Sequence, residues 1–514
     1  MSCAVLLVAL ILADVSGAFA KDVPAPLNLP TDVAKSRRRL AADPHRPLYH
    51  FLPPANFLKD PNGLLYWKGR YHLFYQSNPL DMTDLNMTWS HAVSEDLVHW
   101  TDLPVAFAPT PKGPDYAGCF SGNVVVVDGV PTAVYYGNDK GICLARAHPE
   151  DEFLIHWEKY AGNPIVPHPP AGSGWKPFDP NVFRDGDTWV MLCGGRVETG
   201  DTAYTLVSKD FLNWKFLHNF YESSRKWTKM YDDCAVPDFF KLRDRYALVF
   251  SSHSGQTQYY LGSYSSKDKK FTPEDHGRFS KDRPLKLDHG DPQAPMTLLA
   301  PDGRRVLFNW MCEGRSWETQ QALGWGGILW LPRVISLDDN GKLLIEPVEE
   351  LKKLRGKRIT LGRKRVPRGV DMLLQLTGTA LEIEAEIDPL ASTGCGFRVR
   401  SSLNGEESTS IVYRQLKKEL AIDVSKSSLD PTVVDKEEQS GPLTLAKGET
   451  LKLRIYLDQS VVEVFANGRQ CLAKRIYPSR EDSHHFRFFT IEGSAELRSF
   501  TAWEMKPVWP RTTE

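Results

Sequence analysis

From about residue 45 to residue 345 one local pattern recurs: a short run rich in β-branched and aromatic residues, a turn signal, then another such run. "YHLFYQ", "NVVVVDGVPTAVYYG", "TWVMLCGG", "YALVFSSH" and "RRVLFNWM" are the clearest examples. No long stretch of helical period interrupts them. Many short strands at even spacing predict an all-β barrel, sandwich or propeller. About 300 residues of such units favour a propeller, with four strands to a blade.

The pattern pauses at 346–368, "EPVEELKKLRGKRITLGRKRVPR". This segment is charged, contains the short helical stretch "VEELKKL", and reads as a linker whose Lys and Arg side chains form a solvated face. Apolar and polar residues then alternate again in "ALEIEAEID", "GFRVRSS", "LKLRIYLDQSVVEVFANGRQCLAKRIYP" and "HFRFFTIEG". Asn467-Gly468 is a hairpin turn signal between two of these runs. Residues 369–510 are therefore expected to form a β-sandwich behind a propeller at 45–345.

Ahead of both lies an apolar run at 3–15 with one acid near its end, followed by "AFA" at 18–20 and Lys21. This has the form of a signal-peptide core and a small-x-small cleavage site, so residues 1–20 are expected to be a leader and the mature chain secreted. The leader lacks the usual positive side chain at its start. The run is too short to span a bilayer comfortably, and no later segment is long and apolar enough to do so. Residues 21–44, with "KSRRRL", read as an exposed polar arm. Without the leader seven cysteines remain, at 119, 143, 193, 234, 312, 395 and 471. They are scattered and odd in number, with no CxxC or metal spacing, which argues against a disulfide scaffold in a chain of this size. Asn86-Met87-Thr88 is an N-glycosylation sequon, meaningful if the chain is secreted. Lys plus Arg total 63 and Asp plus Glu 64, so net charge makes no case for nucleic acid or an anionic membrane. The 14 Trp are a mild pointer to flat ligands such as sugars, although core packing accounts for most tryptophans.

Three acids sit in unusual local settings. Asp60-Pro61-Asn62-Gly63 is a tight-turn sequence just ahead of a β run. Asp179-Pro180 has a similar position in "KPFDPNVFRDGDTWV", and Asp232-Asp233 in "MYDDCAVPDFFKL". Each acid alone is most simply a turn cap or a surface charge. In a propeller, however, the innermost strands surround a central channel, and acids at their starts converge there. Paired carboxylates in one pocket are what glycoside hydrolysis requires.

"NFLKDPNGLLYWKGRYHLFYQSNP" (56–79) resembles the opening motif of glycoside hydrolase family 32, the family of invertases, inulinases and levanases. "WSHAVSEDLVHW" (89–100), "FSGN" (120–123), "FDPNVF" (178–183), "AVPDFF" (235–240), "LGWGGILWLPR" (323–333) and "YLDQSVVEVFANGR" (456–469) resemble its later motifs, in the same order. The resemblance covers nearly all of the chain after the leader. It implies a five-bladed propeller followed by a β-sandwich. It also implies a retaining mechanism on terminal fructofuranosyl bonds, and neither metal nor organic cofactor. Asp60 would be the nucleophile and Asp179 the transition-state stabiliser. Gln76, Trp89, Phe120 and Ser121 match positions that line the family's fructose pocket, and Lys59, Asn62 and Phe178 lie in the same motifs and are assigned to it with them. The expected partner is sucrose or a fructan.

Three departures bear on this. Lys59 replaces the Asn before the nucleophile, and an ammonium there would lower the Asp60 pKa. Phe178 replaces the Arg before Asp179. Aligned on Pro237-Asp238-Phe239, Ala235 stands where the acid/base Glu belongs, and Ala cannot transfer a proton. Aligned on Cys234, Asp233 becomes the acid/base, with Asp232 the alternative. A fructosyltransferase on the same scaffold is a second reading, and a catalytically weak carbohydrate-binding relative is a third, favoured by the lost Glu and Arg.

Overall fold

The computed structural model describes residues 33–83, 85–138, 140–253, 257–278 and 292–509. The expected leader at 1–20 lies outside the described residues. The described chain is almost entirely β-structure.

Five antiparallel sheets follow one another between residues 56 and 347. Each begins with a strand that is here numbered in chain order: β1 Asn56–Trp67, β2 Cys119–Val127, β3 Phe178–Asp185, β4 Ala235–Leu242 and β5 Pro292–Leu299. The following strands add outward from it. Tight turns make this order natural. Lys68-Gly69 and Asp128-Gly129 both take positive φ at both positions, so each closes a two-residue hairpin. β1 packs against β2, β2 against β3, β3 against β4, β4 against β5, and β5 against β1 again. The first sheet is also completed from the far end of the series, because Trp325–Gly326 pairs in parallel with Asn56–Phe57.

Each of the five first strands carries an irregularity at the same point in its pairing. In β1 the residues Lys59-Asp60 fall between the pairs Leu58↔Ser77 and Pro61↔Tyr75, so two residues oppose one. Phe120-Ser121, Asp179-Pro180, Val236-Pro237 and Ala294-Pro295 occupy the same place in the other four strands. A bulge bends the strand and re-aims its side chains. Here it does so five times around one ring.

Residues 355–505 form a seven-stranded and a six-stranded sheet that share a core of Ile383, Phe397, Ile411, Ile455, Val464, Phe488 and Phe500. The hairpin at Asn467-Gly468 joins Val461–Ala466 to Gln470–Arg475 as expected. The expected linker at 346–368 is not a linker in structure. Glu349–Leu354 is a 3-10 turn that buries Leu351 and Leu354. Arg355–Leu361 and Lys364–Val366 are strands that pair with Ala495–Met505. The run of exposed Lys and Arg is the solvent face of an edge strand, where charge blocks pairing with another chain.

The expected exposed arm is also corrected where it is described. Val33–Leu40 is a helix, and Arg37 is buried. Its guanidinium makes two 2.7 Å bonds to Asp102 and lies 3.6 Å over the Trp509 ring, the pairing that lets a planar cation be buried.

Buried charges join the five-sheet part to the two-sheet part. Arg333 pairs with Glu463 at 2.9 Å, with both side chains wholly buried. The Asp458 carboxylate accepts from the backbone N–H groups of Leu48, Tyr49 and His50 at 2.6–2.9 Å and lies 2.8 Å from His50 Nδ1. Burial pulls the His50 pKa down, but Asp458 and Glu463 outweigh it and the net shift is upward. All seven cysteines are buried and unbridged.

Candidate active site

The bulge in β1 sets the first group. Asp60 and Lys59 oppose a single residue, Gln76. Gln76 Nε2 donates to Asp60 Oδ2 at 3.1 Å and to Ser121 Oγ at 2.7 Å, and Ser121 Oγ donates a short bond to the same Asp60 oxygen. One carboxylate oxygen is thereby fixed by two side chains from neighbouring strands. Burial raises the Asp60 pKa, against the opposing effects of Ser121, Lys59 and His253. Lys59 acts on Asp60 through its charge while its ammonium lies 5.4 Å from the Phe57 ring.

Gly63 explains why the turn sequence ends in glycine. Its φ is +52°, and a Cβ there would stand 2.7 Å from Val124, 2.9 Å from Trp89 and 3.0 Å from Phe74. Only a residue without a side chain lets β1 sit this close to the packed layer below the site.

Asp179 lies on the equivalent bulge of β3 with φ +45°. That left-handed conformation is rare outside glycine and Asn/Asp, and it marks a constrained side chain. Asp179 accepts from the Val236 backbone N–H at 3.3 Å. Burial and then the charge of Asp60 raise its pKa to about 7, with Asp233 adding to the effect.

Asp232 and Asp233 have different surroundings. Cys234 exchanges two backbone hydrogen bonds with Gly195, at 2.9 and 3.2 Å, which ties the stretch before β4 to the third sheet. Asp232 turns one way: it takes bonds from Thr228 and Ser252, and its charge bears on Asp201, which is wholly buried among Tyr221 and Tyr260. Asp233 turns the other way, and its charge bears on Asp179. Its Oδ1 accepts from the His253 backbone N–H at 2.8 Å, and its Oδ2 lies 2.5 Å from His253 Nδ1. Ala235 opens β4, buried against Phe178, Val236 and Ala294. The two replacements noted in the sequence thus fall in one small apolar cluster.

The remaining assigned residues divide. Ser121 and Gln76 hold Asp60; Phe120 and Phe178 are partly exposed, next in the chain to Ser121 and Asp179. Trp89 has no exposed surface; its indole N–H donates to the Phe120 carbonyl at 2.9 Å and its ring stacks on Phe107. It supports the Phe120-Ser121 bulge from below and has no face for a ligand. Asn62 is likewise fully buried, with no hydrogen-bond partner for its amide among the described residues. His253 was not foreseen. It follows the second strand of the fourth sheet in an unremarkable "SSHSG", and only the fold brings it opposite Asp233. Among the described residues no group of three or more His, Cys, Asp or Glu side chains could hold a metal ion.

The chain is similar to known proteins over most of its length. The model of the glycosyl hydrolases family 32 N-terminal domain matches residues 50–347, and that of the family 32 C-terminal domain matches 350–504. A beta-fructofuranosidase, insoluble isoenzyme 1, of Oryza sativa subsp. indica is 31% identical, over 94% of this chain and 93% of the rice protein. Sucrose-6-phosphate hydrolase of Escherichia coli is 30% identical, over 89% of this chain and 94% of its own length. Fructan 1-exohydrolase IIa of Cichorium intybus superposes with a TM-score of 0.80 at 25% identity, over 90% of this chain and 98% of the chicory chain. Acids on the inner bulges, two matching domain models and full-length relatives lead to one assignment: the chain belongs to glycosyl hydrolases family 32.

Proposed function

We propose that this chain is a secreted retaining β-fructosidase, which releases terminal β-D-fructofuranosyl residues from sucrose or from fructan ends. The observation that carries the reading is the Asp60 carboxylate, held by Gln76 and Ser121 across from Asp179. In this reading Asp60 attacks C2 of the fructose ring to give a covalent fructosyl-enzyme, which water then opens. The developing positive charge at C2 is met by Asp179, whose own ionisation that charge favours. Proton transfer to the leaving oxygen comes from the Asp233 side, because Asp232 is committed to Thr228 and Ser252. Gln76 and Ser121 fix Asp60 for attack, and Phe120 and Phe178 shape the wall of the fructose pocket.

The five sheets would form the blades of a propeller at 45–345, with the acids at the mouth of its channel, and the two sheets that follow a β-sandwich ending near 510. The ring of first strands and the five repeated bulges support this. Secretion is supported by the leader-like residues 1–20 and by likeness to a cell wall isozyme of Zea mays that is 32% identical. No helix among the described residues is long and apolar enough to cross a membrane. A second reading, a relative that binds fructan without cutting it, is favoured by one observation, the buried Ala235 at the start of β4, which carries no group able to transfer a proton. The test is fructose and glucose release from sucrose, inulin and levan. The wild type is expected to be active and Asp60→Asn inactive. Activity retained in Asp60→Asn would sink the mechanism, and fructan binding without turnover in wild type would support the second reading.

A further inference from the structure

We infer that His253 is the group that exchanges the proton with the leaving oxygen and then with water, and that Asp233 is the carboxylate that orients it. This rests on the fructoside-cleaving reading above and assigns the proton within it.

The geometry separates the two roles. Both oxygens of Asp233 are engaged by one residue, one on the His253 backbone N–H and the other on Nδ1. A carboxylate held this way has both oxygens occupied as acceptors within the protein. The imidazole, by contrast, keeps 71% of its side-chain area exposed, and no described residue bonds its Nε2. With Nδ1 fixed by a carboxylate, the imidazole has a set orientation and the Nε2–H points away from its anchor. The ring centroid lies 6.3 Å from that of Phe178, and the charges of Asp60 and Asp179 both act on it. Ala235 has no group that could transfer a proton from the position the family uses, and the imidazole stands beside Phe178, which occupies the place of the Arg.

The groups that face the imidazole are Asp233 from the stretch before β4, Asp179 from β3 and Asp60 from β1, with Lys59 beside Asp60. The bond to Asp233 raises the His253 pKa against the partial desolvation of the ring, and Asp179 and Asp60 add to it, to about 9. Water at the open face screens part of this. The imidazolium is therefore the resting form at neutral pH. In the first step an Asp60 oxygen bonds C2 and the C2–O bond breaks with its electron pair on the leaving oxygen. That oxygen takes the Nε2 proton, which leaves neutral imidazole. Esterification removes the Asp60 charge, and with it part of what held the proton. In the second step a water oxygen bonds C2, the C2–Asp60 bond breaks, and the water proton goes to Nε2. Imidazolium and carboxylate are both restored.

The experiment compares wild type, His253→Gln and Asp233→Asn on sucrose and on β-D-fructofuranosyl fluoride, across pH, with sodium azide as a nucleophile that needs no base. His253→Gln is expected to lose about 10²–10⁴-fold in kcat/KM on sucrose, the usual worth of a positioned acid/base. It should keep fluoride turnover within about tenfold in azide, because fluoride leaves without a proton. Its alkaline limb on sucrose should vanish, whereas Asp233→Asn should keep a limb moved down toward the ordinary His value of about 6.5. A His253→Gln enzyme with wild-type sucrose rates and limb, beside a dead Asp233→Asn, would make Asp233 the donor and overturn the assignment. Equal loss on sucrose and on fluoride would reduce His253 to a structural role and overturn it too. A wild type inactive on sucrose, fructans and the fluoride alike would instead remove the fructosidase reading itself.

Discussion

Asp179→Asn should make the protein more stable and less active, and the gain should depend on pH. Burial and the charges of Asp60 and Asp233 raise the Asp179 pKa from 3.8 to about 7. The folded chain therefore holds this proton more tightly than the unfolded chain. Its contribution to stability is complete below pH 3.8 and is lost as pH rises through about 7. At 1.36 kcal/mol per tenfold, the difference corresponds to roughly 4 kcal/mol as a ceiling. Asp179 is partly exposed to the pocket, so solvent screening brings the expected figure nearer ~2 kcal/mol. Asn keeps an oxygen for the Val236 N–H, so the substitution removes the charge and little else. Urea unfolding at pH 5 and pH 8 is the assay. The variant should exceed wild type clearly at pH 8 and by less at pH 5, while kcat on sucrose falls. A stability difference of the same sign and size at both pH values would refute the electrostatic argument, as would a variant less stable than wild type at pH 8. Stability gained by disarming a site is a familiar exchange.

Other substitutions test separate parts of the structure. Gly63→Ala should cost about 2–4 kcal/mol in urea unfolding, from a positive φ and a Cβ within 3.0 Å of three side chains; a loss under about 1 kcal/mol would mean that β1 shifts freely. Glu463→Gln leaves Arg333 buried without its partner and should cost about 3–5 kcal/mol, whereas unchanged stability would show that water reaches the joint. Asp232→Asn should retain far more activity than Asp233→Asn, since its bonds run to Thr228 and Ser252, and the reverse order would exchange their roles. On material made by a secreting host, Asn86→Gln should remove one glycan's worth of mass, because Asn86 is exposed in the sequon; no change would mean that the site is unused.

What was legible in the sequence was what short-range chemistry writes there. Alternating runs and Gly-containing turns gave the strands, and the Asp-Pro-Asn-Gly sequence marked Asp60, although the expected tight turn is not formed there: residues 56–67 are one strand with two bulges. Charge alone misled at 346–368, because a solvated linker and the outer face of an edge strand share one composition. Burial was not legible at Trp89 or Asn62: a motif says that a residue belongs to the site, not on which side of the backbone it lies. The different surroundings of Asp232 and Asp233 were not legible either, because the stretch that carries them is held by the Gly195–Cys234 bonds, a contact between two sheets. His253 was hidden for the same reason, since its partner is 20 residues away across a hairpin.

The Asp458 carboxylate has a consequence for how the chain is made. It caps three successive N–H groups at Leu48, Tyr49 and His50, across as many as 410 residues of sequence. A ribosome adding about 5–20 residues per second needs roughly 20–80 s to cover that interval. Throughout that time the segment leading into the first sheet exists without the group that satisfies it. The first sheet must also wait for Trp325–Gly326 to pair with its inner strand. The beginning of this protein is therefore among the last parts to settle, and a nascent chain stopped short of residue 458 carries an untethered start.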